Sequence, residues 1–408
     1  MPTSYPKSKL NILLLENINK EAIQVFKQNG YNNITVLKSS LSEDDLASQI
    51  GDVHILGIRS KTQITEKILN AASKLLGIGC FCIGTNQVNI TAAMRKGIVV
   101  FNAPYSNTRS VAELVIGASI MLIRRIPEKN KLMHEGIWKK DASNSHELRG
   151  KTMGIIGYGN IGSQVSILAE NLGMSVVFYD TSSKLPLGNA IAAESLNDLL
   201  SVADIISIHT PATPTSHHLI NSDTLRLCKK GAILINYARG EVVDISAVSA
   251  ALRDGLLSGA AIDVFAQEPS ANGDPFTSPL QQMPNVLLTP HVGGSTEEAQ
   301  VNIGLDVSNK LLQYVESGAS SGSLSIPELI LPVQENTHRI LHIHKNVPGV
   351  LSAINSVLSA NGVNILGQYL KTNEEIGYVV LDINHDVSKN AAELLNQVKE
   401  TIKVRLLY

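Results

Sequence analysis

The segment from residue 151 to residue 180 constrains the fold of this chain more than any other stretch. A short apolar run, Met153–Ile156, predicts a buried strand that leads into the turn Gly157-Tyr158-Gly159-Asn160-Ile161-Gly162. An apolar-periodic segment follows, which predicts a helix, and a second predicted strand, Ser175–Tyr179, ends at Asp180. In such a turn the first glycine permits the tight bend, the second lets the backbone approach a pyrophosphate, and the third lets helix and strand pack closely.

The surroundings of this turn predict its ligand. Exposed N–H groups and the positive dipole end of the helix favour an anion. Asp180 lies 18 residues after Gly162, where a carboxylate accepts hydrogen bonds from a ribose diol and repels a 2′-phosphate. We therefore predict that Gly157, Gly159, Gly162 and Asp180 bind NAD in preference to NADP. The alternative is an ordinary β-turn-α connection that happens to contain three glycines.

Length and composition predict a folded protein of two or three domains. The chain has 408 residues, of which 44% are hydrophobic and 17% charged, and this balance argues against disorder. The formal net charge of −2 gives no reason to expect binding to nucleic acid or to an anionic membrane. The three cysteines fit a reducing compartment and indicate no metal site. The amino terminus lacks the hydrophobic region of a signal peptide, so the predicted location is the cytoplasm.

The first hundred residues alternate short apolar runs with amphipathic segments, which predicts a parallel sheet with helices on both faces. The predicted strands are Leu10–Leu15, Ile34–Leu37, Val53–Ile58, Lys74–Ile78 and Ile98–Phe101. Residues just past the carboxyl ends of such strands face the ligand crevice. Lys38 and the run Arg59-Ser60-Lys61 occupy such places, so we predict a local anion pocket there. The alternative is that each cation is a solvated surface residue.

Residues 108–135 predict one long helix with Asn107 or Thr108 as its cap. Its segment Val111–Ile123 is apolar nearly all round, which favours burial between domains or subunits. Pro127 is expected to kink or end this helix.

The catalytic chemistry is predicted from three ionisable residues that follow strands of the dinucleotide-binding half: Arg239, Glu268 and His291. An enzyme that removes a hydride from an alcohol needs a base for the hydroxyl proton, a group that orients this base, and a cation for the substrate carboxylate. Histidine, glutamate and arginine suit these three tasks. For His291 alone a structural role is the alternative, but its position in Thr-Pro-His-Val-Gly-Gly, directly after a predicted strand, favours catalysis.

The last third of the chain changes in character. Residues 316–336 are rich in serine, glycine and proline, which marks a domain boundary. Residues 337–408 then predict the order strand, helix, strand, strand, helix, strand, which is a ferredoxin-like βαββαβ module. The turn from His344 to Gly349 precedes its first helix, and this terminus suits a small carboxylate.

Together these motifs resemble the NAD-dependent D-2-hydroxyacid dehydrogenase family over nearly the whole chain, in its type with a C-terminal ACT regulatory module. The motifs that carry the resemblance are GYGNIG with Asp180, INYARG at 235–240, AIDVFAQEP at 261–269, TPHVGG at 289–294 and RILHIHKNVPGVL at 339–351. The fold implied is α/β: a Rossmann-type dinucleotide-binding domain inserted in a flavodoxin-like substrate domain, followed by the ferredoxin-like ACT domain. The implied boundaries are 1–106 with 295–332 for the substrate-binding domain, 107–294 for the NAD-binding domain and 337–408 for the ACT domain.

The resemblance also implies a role for each matching residue. His291 is the implied acid/base, Glu268 its partner, and Arg239 the residue that orients the substrate. The implied NAD contacts are Gly157, Gly159, Asn160, Ile161, Gly162, Asp180, His209, Thr210, Pro211, Tyr237, Ala238, Arg239, Asp263, His291, Gly293 and Gly294. The implied phosphate-binding residues are Arg59, Ser60 and Lys61, with Lys38 and Lys140. In the ACT module, His344, Asn346 and Asn364 are the implied serine-binding residues between subunits.

The implied activity is NAD-dependent oxidation of D-3-phosphoglycerate to 3-phosphohydroxypyruvate, the first step of L-serine biosynthesis. The implied effector is L-serine and the implied assembly is a homotetramer. Reduction of 2-oxoglutarate to 2-hydroxyglutarate is an expected side activity. Two alternatives stay open: another D-2-hydroxyacid dehydrogenase, acting on glycerate, lactate or 2-hydroxyglutarate, and a non-enzymatic NAD-sensing interaction protein like the corepressors that share this fold.

Overall fold

The computed structural model describes residues 6–269, 273–332, 337–384 and 388–407. Its backbone divides into two compact units, Met1–Ser106 with Gln300–Tyr408, and Asn107–Ala299. The predicted boundary segment 316–336 ends in residues 333–336, which lie outside the described residues. In the ranges given above, no helix combines the length and the apolar character that crossing a membrane requires.

The first unit begins with a parallel five-stranded sheet. Its strands are β1 (Ile12–Leu14), β2 (Ile34–Val36), β3 (Ile55–Ile58), β4 (Gly77–Cys80) and β5 (Val99–Asn102). Its helices are α1 (Lys20–Gln28), α2 (Glu43–Gln49), α3 (Glu66–Ala71) and α4 (Ile90–Arg95). The strand order is β2-β1-β3-β4-β5, which is the flavodoxin-like order that the family resemblance implies. Helix α2 begins after Ser42, whose side chain accepts a hydrogen bond from Asp45 N–H at 3.2 Å.

The second unit opens with two helices where the sequence predicts one. Helix α5 spans Thr108–Ile123 and α6 spans Ile126–His134. Arg125, between them, has the left-handed backbone conformation with φ = 55°, which breaks the helix. Pro127 therefore lies in the first turn of α6, where its fixed φ fits and its missing N–H costs nothing. The prediction of a single helix over 108–135 is wrong for this reason.

A parallel seven-stranded sheet forms the body of the second unit. Its strands are β6 (Thr152–Ile156), β7 (Ser175–Tyr179), β8 (Ile191–Ala192), β9 (Ile205–Ile208), β10 (Ala232–Asn236), β11 (Leu257–Ile262) and β12 (Val286–Leu288). Its helices are α7 (Asn160–Asn171), α8 (Leu196–Val202), α9 (Ser222–Arg226) and α10 (Ile245–Arg253). The strand order is β12-β11-β10-β9-β6-β7-β8, so the order reverses between β6 and β9. This is the strand order of a Rossmann-type sheet, so the predicted fold class of this unit is confirmed. In such sheets, ligands bind at the point where the strand order reverses.

The chain returns to the first unit through α11 (Glu297–Ser317) and ends in a four-stranded antiparallel sheet. The elements of this last part are β13 (His338–Lys345), α12 (Val350–Ala360), β14 (Ile365–Thr372), β15 (Ile376–Ile383), α13 (Ser388–Asn396) and β16 (Thr401–Leu407). The order β14-β15-β13-β16, with both helices in sequence between strands, confirms the predicted ferredoxin-like module.

The C-terminal sheet shares one hydrophobic core with the N-terminal sheet and α11. That core joins Val99 and Phe101 of β5, Tyr314 of α11, Leu341 of β13 and Tyr378 of β15, all of them buried. Polar contacts accompany it. The Tyr378 hydroxyl donates to the carbonyl of Gly318 at 2.5 Å. Lys403 Nζ, on β16, donates to the carbonyl of Leu75 at 2.7 Å. The ACT-like module is thereby part of the first compact unit.

Candidate active site

The glycine turn between β6 and α7 shows three different packing environments. Gly157 has φ = +93°, and a Cβ there would lie 2.7 Å from the carbonyl oxygen of His209. A Cβ on Gly162 would lie 2.2 Å from the carbonyl oxygen of Gly157, which is impossible without a shift of the backbone. A Cβ on Gly159, the N-cap of α7, would meet no described atom within 4 Å. The space above the helix terminus is thus open at the position where the sequence predicts a pyrophosphate.

Asp180 lies at the carboxyl end of β7, beside this turn. Its Oδ2 accepts a hydrogen bond from Tyr158 N–H at 2.8 Å, and its Oδ1 accepts from the N–H and hydroxyl of Ser182. Partial burial opposes ionisation, but these hydrogen bonds and the nearby Lys184 charge hold the pKa of Asp180 below its usual value. A permanent negative charge therefore stands at the place predicted for ribose recognition.

At the switch point, the end of β9 leaves buried polar atoms without partners. The Nε2 atom of His209 lies 2.9 Å from the Ser207 hydroxyl. Its Nδ1 atom and the hydroxyl of Thr210 form no hydrogen bond with any described residue. Burial lowers the pKa of His209 to about 3, so the ring is neutral at physiological pH. Orphaned polar atoms next to Gly157 are what a site for a polar cofactor requires.

The turn that carries His291 is fixed by Asp263, which follows β11. Asp263 Oδ1 accepts from the Thr289 hydroxyl at 2.6 Å and from Val292 N–H at 2.8 Å, and Oδ2 accepts from Gly293 N–H at 2.7 Å. His291 itself has φ = 53°, a left-handed conformation that is uncommon for a residue other than glycine. The hydrogen bonds to the buried carboxylate hold the turn in this conformation. Asp263 is thus placed as an organiser of the His291 turn, which the sequence did not indicate.

His291 and Glu268 form a direct pair. The Nδ1 atom of His291 lies 3.0 Å from Oε1 and 2.9 Å from Oε2 of Glu268. Glu268 Oε1 also accepts a hydrogen bond from Phe265 N–H at 3.1 Å, which fixes the carboxylate on its own loop. With Nδ1 directed at a carboxylate, Nε2 is the ring nitrogen that remains for proton exchange with a substrate.

Arg239 follows β10 and is exposed at that sheet edge. The fully buried side chain of Asn236 fixes its turn, because its Oδ1 accepts from Ala238 N–H at 3.1 Å and its Nδ2 donates to the Arg239 carbonyl at 2.9 Å. A Cβ on Gly240 would lie 2.1 Å from the carbonyl carbon of Phe265. The Arg239 turn and the loop bearing Glu268 are therefore in contact. Asn236 was missed by sequence reasoning, although a polar residue that ends an apolar strand is the signal that would have found it.

The remaining predicted NAD-binding residues lie at the same edge of the second unit. Asn160 and Ile161 open α7, Tyr237 and Ala238 precede Arg239, and Pro211 follows Thr210. Gly294 packs on α5's cap, because a Cβ there would lie 2.0 Å from Asn107 Nδ2. The carboxyl ends of parallel strands thus bring these residues to one side of the sheet.

The predicted phosphate-binding residues of the first unit follow β2 and β3. Lys38, Ser60 and Lys61 are exposed and Arg59 is half-buried. Within the described part of the chain, the side chains of Lys38, Arg59 and Lys61 make no ion pair. Lys140 is an exposed residue of the second unit, in the loop after α6.

In the C-terminal module, His344 and Asn346 lie at the end of β13. His344 is buried, its Nδ1 is 2.8 Å from the carbonyl of Lys345, and its Nε2 has no hydrogen-bond partner among the described residues. Asn346 Nδ2 donates to the carbonyl of Asn373 at 2.7 Å. Asn364 is exposed in the connection from α12 to β14. The structure of one chain brings the first two together and leaves Asn364 on a separate loop.

Comparison with known families and proteins agrees with this geometry. Residues 116–293 match the model of the D-isomer specific 2-hydroxyacid dehydrogenase NAD-binding domain. Residues 340–405 match the AHAS small subunit-like ACT domain. Among solved structures, D-2-hydroxyisocaproate dehydrogenase aligns with a TM-score of 0.70 and 26% identity, over 78% of this chain and 100% of its own. D-lactate dehydrogenase from Aquifex aeolicus, complexed with NAD and lactic acid, aligns with a TM-score of 0.67 and 25% identity, over 78% and 100%.

Full-length relatives extend the match to both ends. D-3-phosphoglycerate dehydrogenase of Escherichia coli K12 is 50% identical over 407 residues, which is 99% of each chain. The enzyme of the same name from Haemophilus influenzae is 50% identical over 408 residues, again 99% of each chain. The one from Dictyostelium discoideum is 49% identical over 406 residues, covering 100% of this chain and 99% of its own.

Proposed function

The chain belongs to the D-3-phosphoglycerate dehydrogenase family of NAD-dependent D-2-hydroxyacid dehydrogenases, and on that premise we propose that it oxidises D-3-phosphoglycerate to 3-phosphohydroxypyruvate, the first step of L-serine biosynthesis. The observation that carries the proposal is the His291–Glu268 pair, with both carboxylate oxygens within 3.0 Å of one ring nitrogen and the Arg239 turn packed beside it.

The three catalytic side chains divide the reaction between them. His291 accepts the hydroxyl proton of the substrate at Nε2, and Glu268 holds the ring by its Nδ1 and stabilises the imidazolium that results. Arg239 holds the substrate carboxylate and the oxygen on carbon 2, a task for which its planar guanidinium is suited. The chemistry that bound NAD supplies is acceptance of the hydride from carbon 2.

The orphaned polar atoms and the open space at Gly159 fit NAD. Gly157, Gly159, Asn160, Ile161 and Gly162 form the proposed pyrophosphate site, and Asp180 the ribose site. The other proposed contacts are His209, Thr210, Pro211, Tyr237, Ala238, Arg239, Asp263, His291, Gly293 and Gly294. Asp263 combines this role with its support of the His291 turn, because each carboxylate oxygen has more than one lone pair.

The proposed phosphate-binding residues are Arg59, Ser60, Lys61 and Lys38 of the first unit, with Lys140 of the second. The support for this assignment is chemical, since the cations of the first unit lie at strand ends and lack a carboxylate partner among the described residues. The same cations would hold the distal carboxylate of 2-oxoglutarate, and reduction of that compound to 2-hydroxyglutarate is the proposed side activity. In the proposal these cations favour a phosphorylated substrate over lactate, which carries no phosphate.

The proposed domain division follows from these roles. Residues 1–106 and 295–332 form the substrate-binding domain, 107–294 the NAD-binding domain, and 337–408 the ACT regulatory domain. In the last of these, His344, Asn346 and Asn364 bind L-serine as feedback inhibitor. The buried His344 Nε2 without a described partner supports this assignment, because it offers a polar atom to a ligand.

The proposed assembly is a homotetramer in the cytoplasm. Along α5, α6 and the following loop, Ile120, Met121, Met133, Ile137 and Trp138 are exposed, Trp138 by 78%. A row of large apolar side chains on one segment is typical of a subunit interface. The three cysteines are free thiols, which fits a reducing compartment.

An absorbance assay of NADH consumption with purified protein tests the function. With 3-phosphohydroxypyruvate we expect turnover that L-serine suppresses. Turnover that is indifferent to serine would retain the enzyme and remove the serine site. Activity with another 2-oxo acid but none with 3-phosphohydroxypyruvate would contradict the phosphate pocket. Light scattering of the same sample tests the tetramer.

A further inference from the structure

We propose that Glu16 is the positioning residue of the phosphate pocket: its side chain holds the loop after β3, and its backbone helps to hold the loop after β2. Glu16 follows β1 and is only 8% exposed. Its Oε1 accepts hydrogen bonds from Arg59 N–H at 3.2 Å and Thr62 N–H at 2.9 Å. Its Oε2 accepts from Lys61 N–H at 3.0 Å. One carboxylate thus anchors the backbone of the whole Arg59–Thr62 loop.

The backbone of the same residue holds the other loop. Glu16 N–H donates to the carbonyl of Ser39 at 3.2 Å, and Asn17 N–H donates to the carbonyl of Leu37 at 3.1 Å. Lys38 lies between these two acceptors. The residue pair after β1 therefore fixes, through five hydrogen bonds, the backbone positions from which Lys38, Arg59 and Lys61 extend.

The conformation at this position is costly. Glu16 has φ = 63° and Asn17 has φ = 52°, and the left-handed region is unfavourable for most residues other than glycine and asparagine. Glycine would adopt it freely but has no side chain to accept three N–H groups. The three hydrogen bonds to the carboxylate account for a glutamate in this place.

A carboxylate is the side-chain group that satisfies this loop. Three N–H donors converge on its two oxygens, and an ionised carboxylate presents acceptors only. A glutamine would turn an NH₂ group towards at least one of these donors and lose that hydrogen bond. Gln87 Nε2 donates a hydrogen bond to the carbonyl of Arg59 at 2.6 Å. The N–H of Arg59 is bonded to Glu16 and its carbonyl to Gln87, so both backbone groups of this residue are fixed.

This inference rests on the proposed function, because it assumes that the loops bind a phosphate. Glu16 touches no reacting atom, so its effect is expected in the Michaelis constant for the phosphorylated substrate. In Glu16→Gln at least one of the three hydrogen bonds to the loop is lost, so the loop is held less tightly and its cations converge less well on one phosphate. We expect KM for 3-phosphohydroxypyruvate to rise about tenfold, with kcat at saturation within twofold of the parent enzyme.

The experiment compares two substrates that differ only in the phosphate, 3-phosphohydroxypyruvate and hydroxypyruvate. The full-length enzyme is assayed as Glu16→Gln, Glu16→Asp, Lys61→Ala, the double variant Glu16→Gln with Lys61→Ala, and Asp204→Asn. Asp204 is a control outside the proposed site: its Oδ2 accepts a hydrogen bond from Thr152 N–H at 2.9 Å and its Oδ1 accepts one from Lys229 Nζ at 2.7 Å, all within the second unit. Glu16→Asp keeps the charge on a shorter side chain, and it replaces Glu16→Gln if the latter does not fold.

The proposal predicts that Glu16 variants raise KM for the phosphorylated substrate alone, and that Lys61→Ala has a smaller effect in the Glu16→Gln background than in the parent. Equal KM changes for both substrates, or a mere loss of active protein as expected for Asp204→Asn, would overturn the role of Glu16 while Lys61→Ala still separates the substrates. If Lys61→Ala itself fails to separate them, the phosphate pocket is wrong, and the role of Glu16 is overturned with it.

Discussion

Both carboxylate oxygens of Glu268 face the same nitrogen of His291, Nδ1, at 3.0 and 2.9 Å. The ring is therefore oriented with Nε2 away from its partner. Replacing His291 by Asn is expected to lower kcat about 10³-fold, because general acid–base catalysis contributes roughly 10²–10⁴. Glu268→Gln is expected to lower kcat less, since the ring stays in place. The dissociation constant for NADH, measured by fluorescence titration, should change far less than kcat, although His291 is also a proposed NAD contact. Equal losses in turnover and NADH affinity would contradict the assigned roles.

The second and third glycines of the turn should respond in opposite ways to the same added methyl group. Gly159→Ala meets no described atom, so its melting temperature should match the parent while NADH affinity falls at least tenfold through blocked access to the backbone. Gly162→Ala meets the carbonyl oxygen of Gly157, and such overpacking costs about 1–3 kcal/mol. Calorimetry and NADH titration of the two variants separate these effects. Unchanged NADH affinity in Gly159→Ala would contradict a pyrophosphate at that position.

The charge of Asp180 should determine the choice between the two nicotinamide cofactors. Removing it in Asp180→Ala abolishes the repulsion of a 2′-phosphate and leaves Lys184, whose charge lies close enough to lower the pKa of the carboxyl. The ratio of kcat/KM for NADPH over NADH should rise about tenfold or more. Lys184→Ala in the parent is the control and should leave NADH use nearly unchanged. A ratio that stays constant in Asp180→Ala would show that another group selects the cofactor.

His342, two residues before His344 on β13, should make the stability of the chain depend on pH. Burial, followed by the charge of His344, lowers the pKa of His342 to about 4, against about 6.5 in an unfolded chain. Well above pH 6.5 the ring is neutral in both states, and His342 does not lower the free energy of unfolding. As the pH falls from 6.5 towards 4, that free energy decreases, because only the unfolded state takes up the proton. Between pH 7 and pH 5 the free energy of unfolding falls by about 2 kcal/mol.

The measurement is the apparent melting temperature at pH 7 and pH 5. In His342→Gln the decrease between the two values should be several degrees smaller than in the parent. His134→Gln, at the exposed end of α6, serves as the control and should follow the parent. A decrease of the same size in all three proteins would contradict a buried neutral His342.

The sequence predicts best those helices and strands whose own residues show a clear apolar period and end in recognisable turn residues. Period and turn residues identify β6, α7 and β7, and the βαββαβ order of the last 70 residues is confirmed strand by strand. The long helix α11 is not predicted, although Ile303, Val307 and Leu311 recur at helical spacing. At Pro127 the signal itself is ambiguous, because proline marks the first turn of a helix as readily as the end of one.

The sequence predicts the candidate-site residues whose side chains suit the chemistry. It does not predict the residues whose side chains fix the backbone of the surrounding loops. Arg239, Glu268 and His291 are polar residues after apolar strands, so the rule for parallel sheets locates them. Asn236 holds its own turn, at a separation of two and three residues, whereas Asp263 and Glu16 accept N–H groups of loops up to 30 and 46 residues away. No local pattern encodes such partners. The left-handed conformations of His291 and Glu16 are equally a product of these contacts.

The common core of the N-terminal and C-terminal sheets has a consequence for shortened versions of the protein. Lys403 Nζ donates a hydrogen bond to the carbonyl of Leu75, and the Tyr378 hydroxyl donates one to the carbonyl of Gly318. Leu341 and Tyr378 belong to the hydrophobic core that they share with β5 and α11. A chain that stops at Pro332 would keep every residue assigned to the chemistry, yet would expose the remaining part of this core to water. Because His344 and Asn346 are the proposed serine contacts, point substitutions at these residues test the proposed feedback with the core intact, whereas deletion of the module exposes that core.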